Sequence, residues 1–414
     1  MLPKHTPALQ ASDYGPYLSS FLPARRNRGR SLEDVWRLHL PDRWLYPMPA
    51  GRHALWYFME AAQLPHGAEV LLSAYNYYVV VRLVIQKGFK PVFVDIDPET
   101  LTIDPADMRR KISAATKMVV VTHMFGNPAD MAAIKSICDQ NQLLLFEDCA
   151  HGIGSHDYKN QVGNIGDGAL FSLGPQKILT CFGGGMLALA PHFAPGFEAP
   201  EPPTGWKERL IIFAKALLTI GLRPFFFGWT VFPFIKLAYR LAERGSPQLR
   251  DFLAPPRDHG RYRFTPRNHP PFQPFMLRMC DLQLARLDEN VRRRREVVRT
   301  IQEEFRHEPG LVFLNEDKYG RSNASYFGVY VADSEKFTDV MRTWGVEVNP
   351  HEFLDCAALE QFRDYAADCP HARYASEHLT RLPSYPGMTR RDVARIVAAM
   401  KSYLSFASAR PTFA

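Results

Sequence analysis

The 414-residue sequence lacks the features that mark several large classes of protein. No two of its cysteines have CxxC spacing, so neither a zinc ribbon nor a disulfide scaffold is indicated. Its first residues lack the continuous apolar segment of a secretory signal. We therefore expect a reduced, cytoplasmic protein with no bound metal. The six cysteines are Cys138, Cys149, Cys181, Cys280, Cys356 and Cys369.

The sequence also lacks the zinc-finger, recognition-helix and alternating aromatic-basic patterns of nucleic-acid-binding proteins. Its net charge of +7 nevertheless favours anionic partners. Basic runs occur at residues 24–30 and 291–296. The second run falls in a helical pattern, where such charges usually form a solvated face. We therefore predict no nucleic-acid partner and favour phosphorylated or nucleotide-linked metabolites.

No apolar run is long enough to span a bilayer. The most apolar stretch, residues 206–244, is interrupted by Lys215, Arg223 and Lys236, and its longest charge-free segment, residues 224–235, is shorter than the ~18–20 residues required. The simpler interpretation is an extra helical hairpin packed on the protein or on a partner subunit. The alternative is an interfacial helix that places the protein at the inner face of a membrane.

Short apolar runs do alternate with helix-length segments between residues 50 and 190. These runs are continuously apolar, as expected for strands buried on both faces. The alternation predicts an α/β fold with a mostly parallel, doubly wound sheet. The predicted strands are residues 70–74, 91–95, 118–123, 143–148, 168–172 and 185–190, and the predicted helices are residues 52–64, 77–87 and 130–141.

Two proline-rich segments, residues 191–204 and 254–274, divide the chain. We predict a large domain over residues 1–253, a linking loop over 254–274 and a smaller α+β domain over 275–414. In the small domain the sequence indicates a helix over residues 275–304, strands over 326–332 and 346–350, and a final helix that begins at Thr389.

Polar residues end several of the predicted strands, where open parallel sheets bind their ligands. These residues are Asp95, His123, Asp148 and Ser172. Lys177 follows Ser172 after a Gly-Pro turn that would direct its amine over the sheet edge. A desolvated lysine can form a Schiff base. A buried carboxylate such as Asp148 needs a cationic partner, and the protonated nitrogen of pyridoxal phosphate is one. Taken singly, a surface lysine and a structural carboxylate remain open interpretations.

Eight motifs follow one another along the chain: AGRHALWYF (50–58), PVFVDID (91–97), HMFGNPADM (123–131), EDCAHGIG (147–154), GNIGDGALFSLGPQK (163–177), QLARLDE (283–289), DCPHA (368–372) and LPSYPGMT (382–389). In this order they resemble the DegT/DnrJ/StrS family of aminotransferases, which aminate keto-sugars. The resemblance covers roughly residues 45–190 and 275–404. The resemblance implies a fold-type I aminotransferase that uses pyridoxal 5'-phosphate and forms a homodimer.

The resemblance also implies roles for individual residues. Lys177 would form the Schiff base with the cofactor and act as the acid and base of proton transfer. Asp148 would pair with the pyridine nitrogen, and Tyr77 would stack on the ring. His151 stands where the family usually has Gln, near the ring hydroxyl. Gly51 and Ser172 match the phosphate site. The alternative for His151 is a hydrogen-bonded core histidine, and for Tyr77 it is ordinary core packing.

The chain departs from the family pattern at four places. Arg52 replaces a small hydroxyl residue, and we expect its guanidinium to bind the phosphate. Phe182 and Gly183 replace a Gly-Glu pair, which puts a standard substrate in doubt. Asn268 is the nearest candidate for an asparagine that enters the partner subunit's phosphate site. The stretch at 206–244 is longer and more apolar than usual.

The sequence therefore predicts a transaminase that moves an amino group from glutamate or glutamine to a keto-sugar, often nucleotide-linked, in amino-sugar biosynthesis. Lys177 argues against the dehydratase branch of the family, where His replaces that lysine. One alternative is the same chemistry on a less polar or lipid-linked carbonyl compound at a membrane surface. Another is a regulator that binds the cofactor without turnover.

Overall fold

The computed structural model describes residues 2–5, 8, 10–14, 36–181, 183–193, 197, 263–266, 272 and 274–405. The stretch 206–244, Phe182, Asn268 and most of the predicted loop 254–274 lie outside these residues. In the described part of the chain, the helices are all too short or too polar to cross a membrane.

The large sheet contains seven strands in the order β4-β2-β5-β6-β7-β8-β1. All neighbours are parallel except β8, which is antiparallel to β7 and β1. The six strands predicted for this region are confirmed with small shifts of their ends. The strands of this sheet are β1 (Trp44–Met48), β2 (Glu69–Ser73), β4 (Lys90–Val94), β5 (Thr116–Thr122), β6 (Leu144–Asp148), β7 (Gly168–Ser172) and β8 (Gly185–Leu189).

Helices connect the strands of this sheet from β1 to β6, and the predicted α/β fold is confirmed. Buried apolar clusters on both faces include side chains from β2, β5, β6 and the helices. Continuous burial explains why the strands are apolar throughout and do not alternate. The helices here are α1 (Gly51–Ala61), α2 (Tyr78–Gln86), α3 (Pro105–Lys111) and α4 (Met131–Gln140).

The C-terminal part has a smaller antiparallel sheet in the order β12-β10-β9. Its own apolar core includes Leu2 from the start of the chain. The elements of this part are α5 (Pro274–Leu284), α6 (Leu287–Glu304), β9 (Leu311–Phe313), β10 (Phe327–Val331), α7 (Ser334–Thr343), α8 (Pro370–His378), β12 (Leu379–Leu382) and α9 (Arg390–Leu404).

Two predictions for this part are wrong in detail. The segment 346–350 is no strand, and only isolated bridges join Val346 to Leu2 and Asn349 to Arg381. Pro350 ends this segment, and because proline has no backbone N–H it cannot extend a ladder. The helix expected over 275–304 is two helices, since the chain turns at Arg286, whose side chain pairs with Asp13 at 2.7 Å.

A two-stranded ribbon joins the C-terminal part to the large sheet. It consists of β3 (Tyr75–Asn76), just after β2, and β11 (Leu354–Asp355). The amide of Cys356 extends this pairing by donating to the carbonyl oxygen of Ala74 at 2.8 Å. The ribbon therefore fixes the segment before β11 next to the carboxyl edge of the large sheet.

Candidate active site

A cavity of about 470 Å³ lies beyond the carboxyl ends of β5, β6 and β7. This is the edge at which open parallel sheets bind ligands. Of the eight residues predicted for the site, the seven in the described part of the chain all line this cavity. They are Gly51, Arg52, Tyr77, Asp148, His151, Ser172 and Lys177. The eighth, Asn268, lies outside the described residues, and its role stays a prediction.

One end of the cavity is the start of α1. Ala50 caps this helix without a side-chain hydrogen bond, so its first amides have no side-chain acceptor at the cap. Gly51 permits close approach to the sheet, because a Cβ there would lie 3.2 Å from Leu170 Cδ1 and 3.3 Å from Ser172 Cβ. Amides and the helix dipole make such an end suited to a phosphate. Arg52 and Ser172 line the same cavity.

Asp148 is the last residue of β6 and is buried. Burial raises the pKa of its carboxyl. Two neighbours oppose this shift: the backbone amide of Ala150, which donates to Oδ1 at 2.9 Å, and the amine of Lys177. A buried carboxylate of this kind is stabilised by a cation placed beside it. The site therefore fits a ligand that brings a positively charged ring nitrogen.

Lys177 lies in the turn predicted from the Gly-Pro pair, and its amide donates to the carbonyl oxygen of Gly174 at 3.1 Å. Burial lowers the pKa of its amine to about 8, with Asp148 and Glu352 opposing this shift and Arg381 adding to it. An ordinary lysine has a pKa near 10.4, so far more of this amine is neutral at physiological pH. A neutral amine is the form that attacks a carbonyl carbon.

His151 is buried, and neither of its ring nitrogens has a hydrogen-bond partner among the described residues. Its ring lies 4.5 Å from that of Tyr326 and 5.5 Å from that of Phe353. Burial and the nearby Lys177 and Arg381 hold its pKa well below the usual value, so the ring is neutral. Unsatisfied buried polar atoms facing a cavity indicate a missing polar ligand. A ligand hydroxyl, such as that of the cofactor implied by the resemblance, would satisfy this requirement.

Tyr77 stands at the mouth of the cavity, with 46% of its surface exposed. Its ring meets that of Tyr78 edge to face, with centroids 5.2 Å apart. A residue whose role is core packing is usually buried, whereas nearly half of this ring is exposed at the cavity. Its position agrees better with contact to a planar ligand.

The other two strand-end residues, Asp95 and His123, lie outside the cavity. Asp95 accepts hydrogen bonds from the amides of His371 at 3.1 Å and Ala372 at 2.9 Å, and so holds the start of α8 against the large sheet. The His123 ring bonds Glu147 through Nε2 at 3.1 Å and accepts from the amide of Ala129 at 3.2 Å through Nδ1. Both residues are therefore structural.

His123, Glu147 and Cys149 bring potential metal-ligating atoms within 4.8 Å of one another. The oxygens of Glu147 already accept from three backbone amides, those of Gly163, Ile165 and Gly166, at 2.6–2.8 Å. Burial opposes ionisation, yet His123 and these amides hold the pKa of Glu147 below its usual value. Burial raises the pKa of the Cys149 thiol well above its usual value. This cluster is a hydrogen-bonded support beneath Asp148.

The sequence patterns missed the opposite wall of the cavity. Tyr326, Glu352 and Phe353 form it, and they come from the start of β10 and from the segment before β11. Asn76 and Thr122 also line the cavity, joined by a hydrogen bond of 3.3 Å. No local pattern marks these residues, because the β3–β11 pairing that brings Glu352 and Phe353 to the site is long-range.

Comparison with known proteins agrees with this geometry. The sequence matches the DegT/DnrJ/EryC1/StrS aminotransferase family over residues 36–191 and 278–401. The chain belongs to this family. The match includes the strand ends, the Lys177 turn and the β3–β11 ribbon, so the resemblance noted from the motifs is confirmed. The cavity described above is accordingly the candidate active site of a DegT/DnrJ/EryC1/StrS family member.

Individual relatives differ in how much of the chain they match. GDP-perosamine synthase of Vibrio cholerae is 36% identical over 33% of this chain and 37% of its own length. The chain thus spans little more than a third of that relative. The spore coat polysaccharide biosynthesis protein SpsC of Bacillus subtilis is 26% identical over 84% of this chain and 82% of its own length.

A solved structure shares this fold. The PLP form of Spr1654 of Streptococcus pneumoniae superposes with a TM-score of 0.72 at 16% identity, and covers 98% of this chain and 99% of that one. The fold of this chain is therefore fold-type I, with a large mostly parallel sheet and a smaller α+β part.

Proposed function

We propose that this protein is a pyridoxal-phosphate-dependent aminotransferase that moves an amino group from an amino acid to a keto-sugar. The observation that carries the proposal is the cavity itself. Lys177, with a pKa of about 8, and Asp148 face one volume whose other end is an open helix start. The names of the matched relatives, a perosamine synthase and a spore coat polysaccharide protein, support sugar chemistry.

The residues present fit the cofactor at each of its polar groups. The start of α1 with Gly51, Arg52 and Ser172 suits the phosphate, Asp148 suits the ring nitrogen and His151 suits the ring hydroxyl. Tyr77 covers the ring face. When bound, pyridoxal phosphate supplies the electrophilic carbon and the electron-withdrawing ring on which amino groups are exchanged.

The protein's own groups then handle binding and proton transfer. Lys177 Nζ would hold the cofactor and would move a proton at the reacting carbon, a task for which a pKa near the working pH is well matched. Asp148 would keep the ring nitrogen protonated. The apolar walls, with Leu55 and Val80 among them, exclude water from the reacting atoms.

A donor half-reaction tests the proposal. The purified holoenzyme is mixed with glutamate or glutamine in the absence of any acceptor, and its cofactor is then released and identified by chromatography. Conversion to pyridoxamine phosphate is the expected result. A cofactor that stays unchanged with every proteinogenic amino acid would contradict the proposal and favour a regulator that binds the cofactor without turnover.

The family's second phosphate contact comes from a neighbouring subunit, so we propose a homodimer with Asn268 in that role. Light scattering coupled to size exclusion should give twice the 47.2 kDa chain mass. An Asn268→Ala variant should lose cofactor affinity while staying dimeric. A monomeric particle that binds the cofactor normally would contradict the dimer, and unchanged affinity would remove Asn268 from the site.

We also propose that the apolar stretch 206–244 contacts a membrane surface, on the strength of its aromatic residues and interspersed lysines and arginines. Flotation with anionic liposomes at low salt tests this contact. The full chain should rise with the lipid fraction, and a chain in which 206–244 is replaced by a short polar linker should stay below. Absence of the full chain from the lipid fraction would contradict the contact.

A further inference from the structure

A second chamber of about 270 Å³ adjoins the cofactor cavity. The two spaces share four lining residues, Asn76, Tyr77, Glu352 and Phe353. Tyr78, His351 and Leu354 complete the second chamber. A cofactor held by Lys177 and Asp148 would occupy part of the first space, and the adjoining chamber offers room for the rest of a bound substrate.

Glu352 is the carboxylate that faces both spaces. Its side chain is 11% exposed, and Oε1 lies 3.1 Å from a terminal nitrogen of Arg381. Asn349 donates a hydrogen bond to Oε2. Burial opposes ionisation, but Arg381 and Lys4 hold the pKa of Glu352 below its usual value. The group is therefore a fixed negative charge at the boundary of the two chambers.

This carboxylate retains capacity to accept further hydrogen bonds. An ionised carboxylate offers about four lone-pair positions, and Arg381 and Asn349 each approach one of its oxygens. Hydroxyl groups are the neutral donors that fill such positions, through charge-assisted bonds of roughly twice the usual strength. Dicarboxylic amino donors, by contrast, are repelled by a like charge, so Glu352 is unsuited to bind their carboxylates.

Aromatic side chains surround the carboxylate. Tyr77, Tyr78 and Phe353 line the second chamber beside it. A pyranose ring presents apolar C–H faces and a rim of hydroxyls, and this combination matches aromatic walls with a polar group at one edge. The chamber thus has the chemistry of a hydroxylated ring site.

We propose that Glu352 determines acceptor specificity by accepting hydrogen bonds from hydroxyl groups next to the carbonyl of a keto-sugar acceptor. This inference rests on the proposed function. Acceptors that lack those hydroxyls leave the buried carboxylate without its extra partners, and a site of this kind discriminates against them.

The test separates the two half-reactions of a Glu352→Gln holoenzyme. The acceptor probes are GDP-, dTDP- and UDP-linked 4-keto-6-deoxyhexoses, together with a dTDP-linked counterpart that lacks the hydroxyl beside the ketone. Glu352 also opposes the lowering of the Lys177 pKa, so pyridoxamine formation from the amino donor should change as well, but by less than about threefold. With the hydroxylated probe that the parent uses best, kcat/KM should fall about 10- to 100-fold, mainly through KM, as expected for a lost hydrogen bond to a charged group.

Glu347→Gln is the matched control. Glu347 lies in the same segment as Glu352, is exposed and accepts a hydrogen bond from the Lys4 amide at 3.3 Å. It should leave both half-reactions unchanged. If Glu352→Gln fails to fold, Glu352→Asp retains the charge opposite Arg381 and shortens its reach, so the same comparison applies to it.

The remaining outcomes would contradict either the role of Glu352 or the proposed function. Equal losses with the hydroxylated and deoxygenated probes, or a parallel loss in the donor half-reaction and in thermal stability, would show that Glu352 only holds Arg381 in place. An unchanged kcat/KM would also overturn the inference. Turnover of none of the probes by the parent enzyme would instead overturn the keto-sugar function on which the inference rests.

Discussion

The two walls of the active-site cavity have different origins. One wall consists of residues at or just after the ends of β6 and β7 and at the start of α1, among them Asp148, Lys177 and Gly51. The other consists of Tyr326, Glu352 and Phe353, which the small sheet and the β3–β11 ribbon deliver. The first wall offers complementary groups for the cofactor, and the second borders the chamber assigned to the acceptor. Under the proposed function, most groups assigned to the cofactor and the group assigned to the acceptor therefore come from different parts of the fold.

The largest effect is expected from a substitution in the first wall. Lys177→Ala removes the amine proposed to hold the cofactor and transfer the proton. The rate of transamination should therefore fall by ~10²–10⁴-fold. The measurement is the rate of 2-oxoglutarate formation from glutamate. Lys135→Ala, at an exposed lysine that pairs with Asp139, is the control and should retain full activity. A Lys177→Ala enzyme with more than a tenth of the parent rate would contradict the assignment.

Asp148→Asn should have the next largest effect. The amide is nearly isosteric but carries no charge to keep the ring nitrogen protonated, so the donor half-reaction should slow by about 10²-fold. Stopped-flow absorbance of the cofactor measures this rate. Asp139→Asn, on the exposed face of α4, provides the control. Equal rates for the two variants would place Asp148 among structural carboxylates.

The lowered pKa of Lys177 predicts a pH dependence within the first wall. In the cofactor-free protein the neutral fraction of an amine with a pKa of about 8 rises roughly tenfold between pH 7 and pH 9 and then levels off. The rate at which pyridoxal phosphate becomes covalently bound should follow that curve. Nα-acetyl-lysine, which keeps a free ε-amine, is the reference, and its rate should keep rising to pH 10. A protein curve that also rises without a plateau would contradict the lowered pKa.

The smallest expected effect lies outside both walls. Thr389 and Asp392 form a reciprocal capping box at the start of α9. Thr389→Ala should lower the free energy of unfolding by about 1 kcal/mol, as for other lost helix caps, and should leave both half-reactions unchanged. Denaturant unfolding and steady-state kinetics measure the two quantities, with Thr389→Ser as the control. If activity falls by more than the lost stability accounts for, the active site depends on the packing of α9 in the C-terminal part.

The first wall could be predicted from sequence because its signals are local. Buried parallel strands are apolar runs, and the polar residue that ends each run, such as Asp148 or Ser172, is visible in the sequence itself. The Gly-Pro turn before Lys177 is a signal of the same kind. Strand-end position alone did not suffice, since Asp95 and His123 have it too and serve as structural ties.

The second wall could not be predicted because its positions depend on long-range pairing. Glu352 follows Pro350 and His351 in a segment without regular structure, and only the β3–β11 ribbon brings it to Tyr77. The strand predicted over 346–350 is wrong for a local reason, since the segment ends at Pro350, which has no backbone N–H, and makes only isolated bridges. Local pattern determines which residues a strand contains, whereas distant pairing determines which residues face each other.

Borohydride reduction followed by peptide mass mapping tests the central claim most directly. The holoenzyme is reduced, digested and searched for a pyridoxyl group on each of its lysines. The account predicts a single modified peptide that carries the group on Lys177. A pyridoxyl group on another lysine, or none after incubation with excess pyridoxal phosphate, would contradict it and leave this chain with the fold of the family but without its chemistry.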